Sequence, residues 1–308
     1  MNHQIQNILC ALLFSTALIS TAQAGTVEAS DAGKEWEKRR TRTVRPAKAP
    51  DARDNFGGFD GEKVANKRGF FRVIQKGKKW WLVNPNGNLF FSVGVNSVEP
   101  KRVGSEDKEA WAEETYQLLD EAGFNSIGRW SDHRPFARID KPIPWCSTLG
   151  FMRTFDSQRS EDLGRKDYPY ETIPVFDEGW PAFCEKFALE KTRASLDDPY
   201  LIGHFSDNEL PFRPDALNNY LSLSKTDPGY IAAVAWMEEN KISKRRINDP
   251  KVQAAFLEVV AKLYFETVAN ALKKADPNHL YLGSRLHGRC INEPVLRCLL
   301  YTSPSPRD

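Results

Sequence analysis

Residues 200–210 read YLIGHFSDNEL, and this stretch is the most informative about the fold. Its first half is almost continuously apolar, whereas polar and acidic residues gather at its end. An apolar run of this kind is typical of a strand that is buried on both faces of a parallel sheet. In parallel α/β folds the functional side chains follow the carboxyl ends of the strands. The stretch therefore predicts a buried parallel strand followed by a candidate site at Asp207-Asn208-Glu209.

Strand-like and helical segments alternate on both sides of this strand. Further strands are predicted at residues 89–95 (LFFSVGV), 124–130, 143–149 and 280–286. Helices are predicted at residues 105–121, 177–194 and 249–275, the last with Asp249 as N-cap and Pro250 at the first helical position. The alternation indicates βαβ units and a parallel sheet. Long insertions follow two of the strands, at residues 150–174 and 211–230, which is where a (β/α)8 barrel keeps its catalytic loops.

The number of strands bears on the extent of the barrel. Five barrel strands precede Arg297, whereas a complete barrel has eight. A β-hairpin is predicted before them, because residues 70–74 and 79–83 flank the turn Lys76-Gly77-Lys78. The expected fold class is therefore α/β, a (β/α)8 TIM barrel truncated after about five strands and preceded by a short β-hairpin segment, over residues 56–297.

The two ends of the chain are predicted to lie outside this domain. Residues 1–24 carry a short apolar run and then TAQA, the pattern of a signal peptide cleaved before Gly25; the alternative is an apolar N-terminal strand. We expect a secreted or periplasmic protein without a membrane anchor, because the run is too short to span a bilayer. Residues 25–55 are polar and charged and predict a disordered linker, the alternative being a surface-binding basic patch. Residues 298–308 (CLLYTSPSPRD) look like the translation of a sequencing adapter; the alternative is a genuine Ser/Pro-rich tail.

Composition excludes several classes of function. The chain has 308 residues, of which 41% are hydrophobic and 27% charged, and its net charge is only +2. Nucleic acid is therefore not expected as a partner. The five histidines and five cysteines show no metal-ligand spacing, so neither a metal nor a cofactor is expected. Motifs for zinc proteases, serine hydrolases and P-loop nucleotide binding are absent from the sequence.

Several stretches together resemble the beta-agarase-like group of clan-A glycoside hydrolases. They read FGGFDG (56–61), WWLVNPNGNLFFSVGVN (80–96), GHFSDNE (203–209) and DPNHLYLGSRLHG (276–288). In this clan the fourth strand ends in Asn-Glu. The resemblance implies that Glu209 is the catalytic acid/base and that Asn208 hydrogen-bonds the 2-hydroxyl of the sugar. The alternative for Glu209 is an ordinary surface carboxylate at a strand end.

The resemblance also implies a sugar-binding surface made by the other strand ends. Its residues line the subsite that holds the reacting sugar, and they are Asn96, Arg129, Trp130, Arg285 and His287. Arg129 could instead form a surface ion pair, and His287 could be a satisfied core histidine. His204, inside the strand, is expected to be structural. The family's nucleophile is a glutamate that ends strand seven, so it is expected beyond Arg297; Glu293 is predicted to begin a helix instead.

The function implied is a retaining glycoside hydrolase that acts on a β-linked polysaccharide. By resemblance the substrate is agarose or a related galactan, and the chain as encoded is expected to be incomplete and inactive. The alternative from another class is a non-catalytic carbohydrate-binding barrel. A glutamate at the end of strand seven would distinguish the enzyme from the binding protein.

Overall fold

The computed structural model describes residues 53–302, except residues 62, 103 and 105. The predicted signal peptide at 1–24, most of the predicted linker at 25–55, residues 303–308 of the predicted tail and the helix start at Ser105 lie outside the described residues. Within the described part, a small antiparallel sheet precedes a parallel sheet that is covered by helices. The mixed α/β class expected from the sequence is confirmed.

The predicted hairpin forms the antiparallel sheet. Strands β1 (Arg72–Lys76) and β2 (Lys79–Val83) pair in register around the turn at Gly77, whose φ of 64° suits glycine. A third strand, β3 (Leu89–Phe90), pairs with β2. Phe71 and Phe90 pack with Phe56 and with Ile202 of the parallel sheet. The hairpin is therefore attached to the parallel sheet through a shared apolar cluster.

The parallel sheet has five strands in the order β4-β5-β6-β7-β8. They are β4 (Gly94–Val95), β5 (Ser126–Ile127), β6 (Trp145–Leu149), β7 (Leu201–Asn208) and β8 (Leu280–Arg285). All neighbouring pairs are parallel. Within the described residues the sheet does not close into a barrel, and β4 and β8 are its two edges. The five predicted barrel strands are thus confirmed as one open sheet.

The prediction of a single strand over residues 89–95 is wrong. The run divides into β3, which belongs to the antiparallel sheet, and β4, which belongs to the parallel sheet. Between them, Val93 N donates to the Asn125 side chain at 2.8 Å, and the Ser92 and Ser126 hydroxyls lie 2.8 Å apart. The polar side chains before and in β5 thus hold the chain where it passes from one sheet to the other.

Helices cover the parallel sheet and also form in the long insertions that follow two of its strands. The helices predicted between strands are α1 (Lys108–Glu121), α3 (Trp180–Thr192) and α6 (Pro250–Ala275). Asp249 caps α6 through Lys251 N, as predicted, and Asp107 caps α1 by accepting from Glu109 N and Ala110 N. The predicted insertions contain two further helices, α2 (Phe151–Asp162) and α4 (Ala216–Leu221), and α5 (Pro228–Glu239) begins at the end of the second insertion.

The last helix, α7 (Glu293–Thr302), follows β8. It begins at Glu293, as the sequence predicts, and continues into the first residues of the predicted tail, where Cys298 is buried. The Cys298 thiol donates to the Glu258 carbonyl of α6 at 3.6 Å. None of the helices in the described part of the chain combines the length and the apolar character that a membrane crossing requires.

Candidate active site

The carboxyl ends of the parallel strands are joined to one another by backbone hydrogen bonds. Ser97, just after β4, donates to the Arg129 carbonyl after β5 at 2.9 Å. Glu209, just after β7, donates to the Arg285 carbonyl at the end of β8 at 2.8 Å. We call Asn96, Arg129, Trp130, Asn208, Glu209 and Arg285 the strand-end site. These bonds fix the backbones that carry its side chains on neighbouring strands.

The predicted acid/base lies in an unusual turn at the end of β7. Asp207 and Glu209 both have positive φ, 50° and 58°, and neither is glycine. Such backbone conformations cost about 1–3 kcal/mol each and are frequent where function requires a special side-chain direction. The Glu209 side chain is exposed, and Asn208 between the two is half-buried. The turn therefore presents Glu209 to solvent at the carboxyl end of the sheet.

Asp207 anchors this turn to the rest of the fold. Its carboxylate accepts hydrogen bonds from Met152 N at 2.8 Å, from Arg153 N at 3.0 Å and from the Tyr264 hydroxyl at 2.7 Å. Met152 and Arg153 are in the first turn of α2, so the carboxylate takes the place of an N-cap that Gly150 cannot supply. Burial raises the pKa of Asp207 to about 6, although these bonds and the Arg129 charge act in the opposite direction.

Trp130 is the aromatic surface of the strand-end site. Half of its side chain is exposed (50%), and its φ is 61°. The guanidinium carbons of Arg129 and Arg285 each lie 4.8 Å from the centre of its ring. Cation–π attraction of this kind orders all three side chains. An exposed ring held rigidly in this way can stack against the apolar face of a sugar.

Asn96 lies directly against the backbone of the next strand end. A Cβ added at Gly128 would come within 2.3 Å of the Asn96 side-chain oxygen. Glycine is therefore required at residue 128 for Asn96 to occupy its position. The structure thus brings six of the predicted site residues, which are those of the strand-end site, to one end of the sheet.

His287, the remaining predicted site residue, is not bonded to the strand-end site among the described residues. It lies two residues beyond Arg285 with an exposed side chain, and no hydrogen bond or ion pair of this side chain is present among the described residues. The alternative of a buried core histidine is wrong, because the side chain is exposed. His204 is buried as expected and lies between Ser147 and Asp276, with its Nε2 2.8 Å from the Asp276 carboxylate.

One group of side chains has ligand atoms close enough together to share a metal ion. His204, Asp276 and His279 are all buried, and their ligand atoms lie within 4.8 Å of one another. Asp276 accepts from both imidazoles, and the other nitrogen of His279 lies 2.9 Å from the Asp198 carbonyl. Every ring nitrogen of the group therefore already has a protein partner, and the arrangement is that of a hydrogen-bonded core network.

Comparison with known proteins identifies two relatives of this chain. No family model matches the chain. Beta-agarase B of Vibrio sp. (strain JT0107) is 23% identical over an alignment 378 residues long, which covers 82% of this chain and 38% of that protein. Beta-agarase A of the same strain is 26% identical over 225 residues, covering 60% of this chain and 22% of that protein. The chain is similar to beta-agarases. The predicted resemblance is confirmed, and the chain spans less than half the length of both relatives.

Solved structures agree with the fold. BpGH50 matches with a TM-score of 0.71 at 24% identity, over 81% of this chain and 60% of that chain. The agarase AgWH50C matches with a TM-score of 0.63 at 20% identity, over 91% and 51% of the two chains. The structure of an exo-beta-agarase gives 0.63 at 16% identity, over 94% and 56%. At these identities the likeness establishes the architecture.

Two residues near the site were not assigned a role from the sequence. Asp207 precedes the predicted pair directly, and its polar neighbours Ser206 and Asn208 give no sign that its carboxylate turns inward. Arg153 falls in an insertion that was predicted as a loop and is in fact the start of α2. The apolar spacing of Phe151, Met152 and Phe155 within that insertion is the signal that could have revealed the helix.

Proposed function

We propose that the protein is a retaining glycoside hydrolase that acts on a β-linked galactan, agarose or a close relative. The observation that carries the proposal is Glu209, an exposed carboxylate that follows Asn208 at the carboxyl end of β7 in a chain similar to beta-agarases. Strand ends of this kind carry the catalytic groups of (β/α)8 enzymes. The strand-end site supplies an aromatic surface and hydrogen-bond donors for a sugar beside it.

The chemistry follows from the poor leaving group of a glycoside. The glycosidic oxygen must gain a proton as its bond breaks, and Glu209 donates that proton as general acid. Asn208 hydrogen-bonds the sugar 2-hydroxyl. After a carboxylate nucleophile has formed the glycosyl-enzyme, Glu209 removes a proton from the attacking water. Asp207 is unsuited to be that nucleophile, because its carboxylate faces Met152, Arg153 and Tyr264 inside the protein.

We also propose that the protein is exported through its N-terminal 24 residues. The support is the apolar run followed by an A-x-A pattern. A polysaccharide is too large to be taken up intact, so an enzyme that cleaves it acts outside the cytoplasm. N-terminal sequencing of the protein recovered from the periplasm or medium should begin at Gly25.

The acid/base role is tested with Glu209→Ala in the longest gene product that contains this chain. Turnover of agarose should fall by about 10²–10⁴-fold, because general acid–base assistance is worth that much. With an activated aryl glycoside the loss should be smaller, and added azide should restore the second step and give a β-configured glycosyl azide. The matched control is Glu293→Ala at the start of α7, where the glutamate side chain is 84% exposed and pairs with Arg297.

The outcomes separate the candidate functions. Unchanged turnover in Glu209→Ala would remove Glu209 from the mechanism. Loss without azide rescue, or an α-configured product, would contradict a retaining enzyme. Binding of agarose oligosaccharides by the parent protein without any hydrolysis would instead support the non-catalytic carbohydrate-binding barrel.

A further inference from the structure

We propose that Tyr264 of α6 is a positioning residue for the reaction: through Asp207 it holds the turn that carries Glu209, so that the acid/base faces the glycosidic oxygen. The inference rests on the proposed function, and it adds a residue that lies 57 positions after Asp207 in the chain. It is carried by a buried set of hydrogen bonds that joins this tyrosine to the base of the turn.

The first observation is the backbone of the turn. Asp207 and Glu209 both have positive φ, 50° and 58°, on either side of Asn208. Residues other than glycine keep such conformations only where the surrounding structure over-determines them. The direction of a side chain follows from its own backbone, so whatever fixes this turn also fixes the direction of Glu209.

The second observation is the way in which the turn is attached to the fold. The Asp207 carboxylate is buried, and its Oδ2 atom accepts from Met152 N at 2.8 Å and from the Tyr264 hydroxyl at 2.7 Å. These two donors come from different helices, α2 and α6. Met152 supplies a backbone amide, which any residue other than proline would supply, whereas the donor on α6 is a side chain. The attachment of the turn to α6 therefore depends on tyrosine at residue 264.

The third observation is that Tyr264 is a rigid donor. Its side chain is fully buried, and its ring centre lies 5.0–6.1 Å from those of Trp180, Phe212 and Phe265. Burial and the charge of Asp207 raise the pKa of Tyr264 well above its usual range, so the hydroxyl keeps its proton. A side chain that is locked by packing can hold its hydrogen-bond partner in one place.

A second buried tyrosine belongs to the same polar group but is placed differently. The Tyr264 hydroxyl lies 3.0 Å from Ser206 Oγ, and Ser206 Oγ lies 2.8 Å from the Tyr281 hydroxyl. Tyr281 of β8 thus reaches the group through Ser206, whereas Tyr264 donates to Asp207 directly. This difference between two tyrosines in one network provides a matched comparison.

Loss of the Tyr264 hydroxyl should therefore misplace the acid/base. Asp207 would stay buried and lose a donor at Oδ2, which favours a shift of its carboxylate and of the turn. A general acid must lie within hydrogen-bond reach of the oxygen that it protonates, and a displacement of about 1 Å can cost about 10²-fold in rate. The loss should concern proton transfer more than the other parts of the reaction.

The test uses Tyr264→Phe in the longest gene product that contains this chain, because phenylalanine keeps the ring and removes only the hydroxyl. The quantity measured is kcat/KM, which reports the step that breaks the glycosidic bond, for agarose and for an activated aryl glycoside. The value for agarose should fall by about 10–100-fold, and that for the aryl glycoside, which needs little protonation, by less than about 3-fold. The ratio of the two values does not depend on the fraction of protein that folds, so poor folding cannot imitate this result.

Two further variants make the result specific. Tyr281→Phe is the matched control and should leave the ratio unchanged, because its hydroxyl bonds Ser206 and Asp207 keeps its three donors. When Tyr264→Phe is added to Glu209→Ala, agarose turnover should fall no further, because the group that Tyr264 positions has already been removed.

The outcomes separate failure of this inference from failure of the proposed function. Equal loss with both substrates, or an equal change of the ratio in Tyr281→Phe, would leave Tyr264 with a structural role alone. A further loss of full size in the double variant would show that Tyr264 acts through a group other than Glu209. Unchanged agarose turnover in Tyr264→Phe, while Glu209→Ala loses it, would overturn the inference and leave the proposed function standing. If Glu209→Ala itself keeps full turnover, the proposed function fails.

Discussion

Two buried carboxylates, one at each end of the parallel sheet, have pKa values that are shifted in opposite directions. At the amino end, Asp276 lies just before β8 and accepts hydrogen bonds from His204 and His279. Although burial raises the pKa of Asp276, the two imidazoles hold it well below its usual range. At the carboxyl end, burial prevails and raises the pKa of Asp207 to about 6. One buried carboxylate is thus stabilised in its ionised form, and the other is not.

Other polar groups near the two ends of the sheet show a similar difference. Near the amino end, Asp54 accepts from Asn84, Asn86 and Asn88, which joins the FGGFDG stretch to the NPNGN turn. At the carboxyl end, Arg129 Nε and Arg285 Nη1 are buried donors without a hydrogen-bond partner among the described residues. Polar groups that are satisfied inside the protein contribute stability, whereas unsatisfied ones are available to a ligand. The satisfied groups at the amino end therefore stabilise the fold, and we propose that the unsatisfied donors at the carboxyl end contact the sugar.

Removing Asp276 should have the largest effect on stability. Asp276→Ala leaves His204 and His279 buried without their acceptor, and loss of one partner of a buried polar pair costs about 3–5 kcal/mol. Urea unfolding followed by circular dichroism measures the change. Asp215→Ala, at an exposed aspartate before α4, is the control and should alter stability little. Equal effects of the two variants would contradict the structural role assigned to the amino-end network.

The raised pKa of Asp207 should make the protein less stable as the pH rises. Its folded pKa of about 6 exceeds the ordinary 3.8, so the folded state disfavours ionisation, and stability falls as the pH rises from about 4 to 6. The shift corresponds to about 3 kcal/mol. We expect Asp207→Asn to remove this part of the pH dependence between pH 4 and pH 7, measured as the difference in unfolding free energy from the parent protein. Parallel pH curves for the two proteins would show that Asp207 is not buried as described.

Substitution of two glycines, one near each end of the sheet, should have smaller effects on stability. A Cβ at Gly58 would come within 2.3 Å of Asn84 Nδ2, and one at Gly128 would come within 2.3 Å of Asn96 Oδ1. Asn84 is buried and donates to Asp54, whereas the Asn96 side chain is exposed. Gly58→Ala should therefore cost about 1–3 kcal/mol of stability, and Gly128→Ala less.

The glycine comparison includes a binding measurement. Gly128→Ala should weaken oligosaccharide binding, because Asn96 must leave its position, and Gly58→Ala should not affect binding in the fraction that folds. Gly288→Ala, where an added Cβ meets no atom within 4 Å, is the control for both variants. The reverse assignment of stability and binding effects would contradict the division between the two ends of the sheet.

Elements with strong local signals could be predicted closely from the sequence. Helix α6 begins at Pro250 after its Asp249 cap and ends at Ala275, as the pattern predicts, and β7 lies within the predicted stretch 200–210. Helices α2 and α4 are not predicted, because the insertions that contain them are interpreted as loops. The run at 89–95 reads as one strand because hydrophobicity alone carries no information about which sheet a residue joins.

The sequence by itself determined the alternation of strands and helices, the order of the five strands in the chain and the residues that follow each strand. Those residues meet at one end because parallel strands all point the same way. Only the tertiary structure decided which charged groups find partners. Asp207 turns inward to the first turn of α2, and Arg129 and Arg285 meet Trp130 from strands that are not neighbours. Pairing of charges depends on distances between residues far apart in the chain, and local sequence patterns contain no measure of those distances.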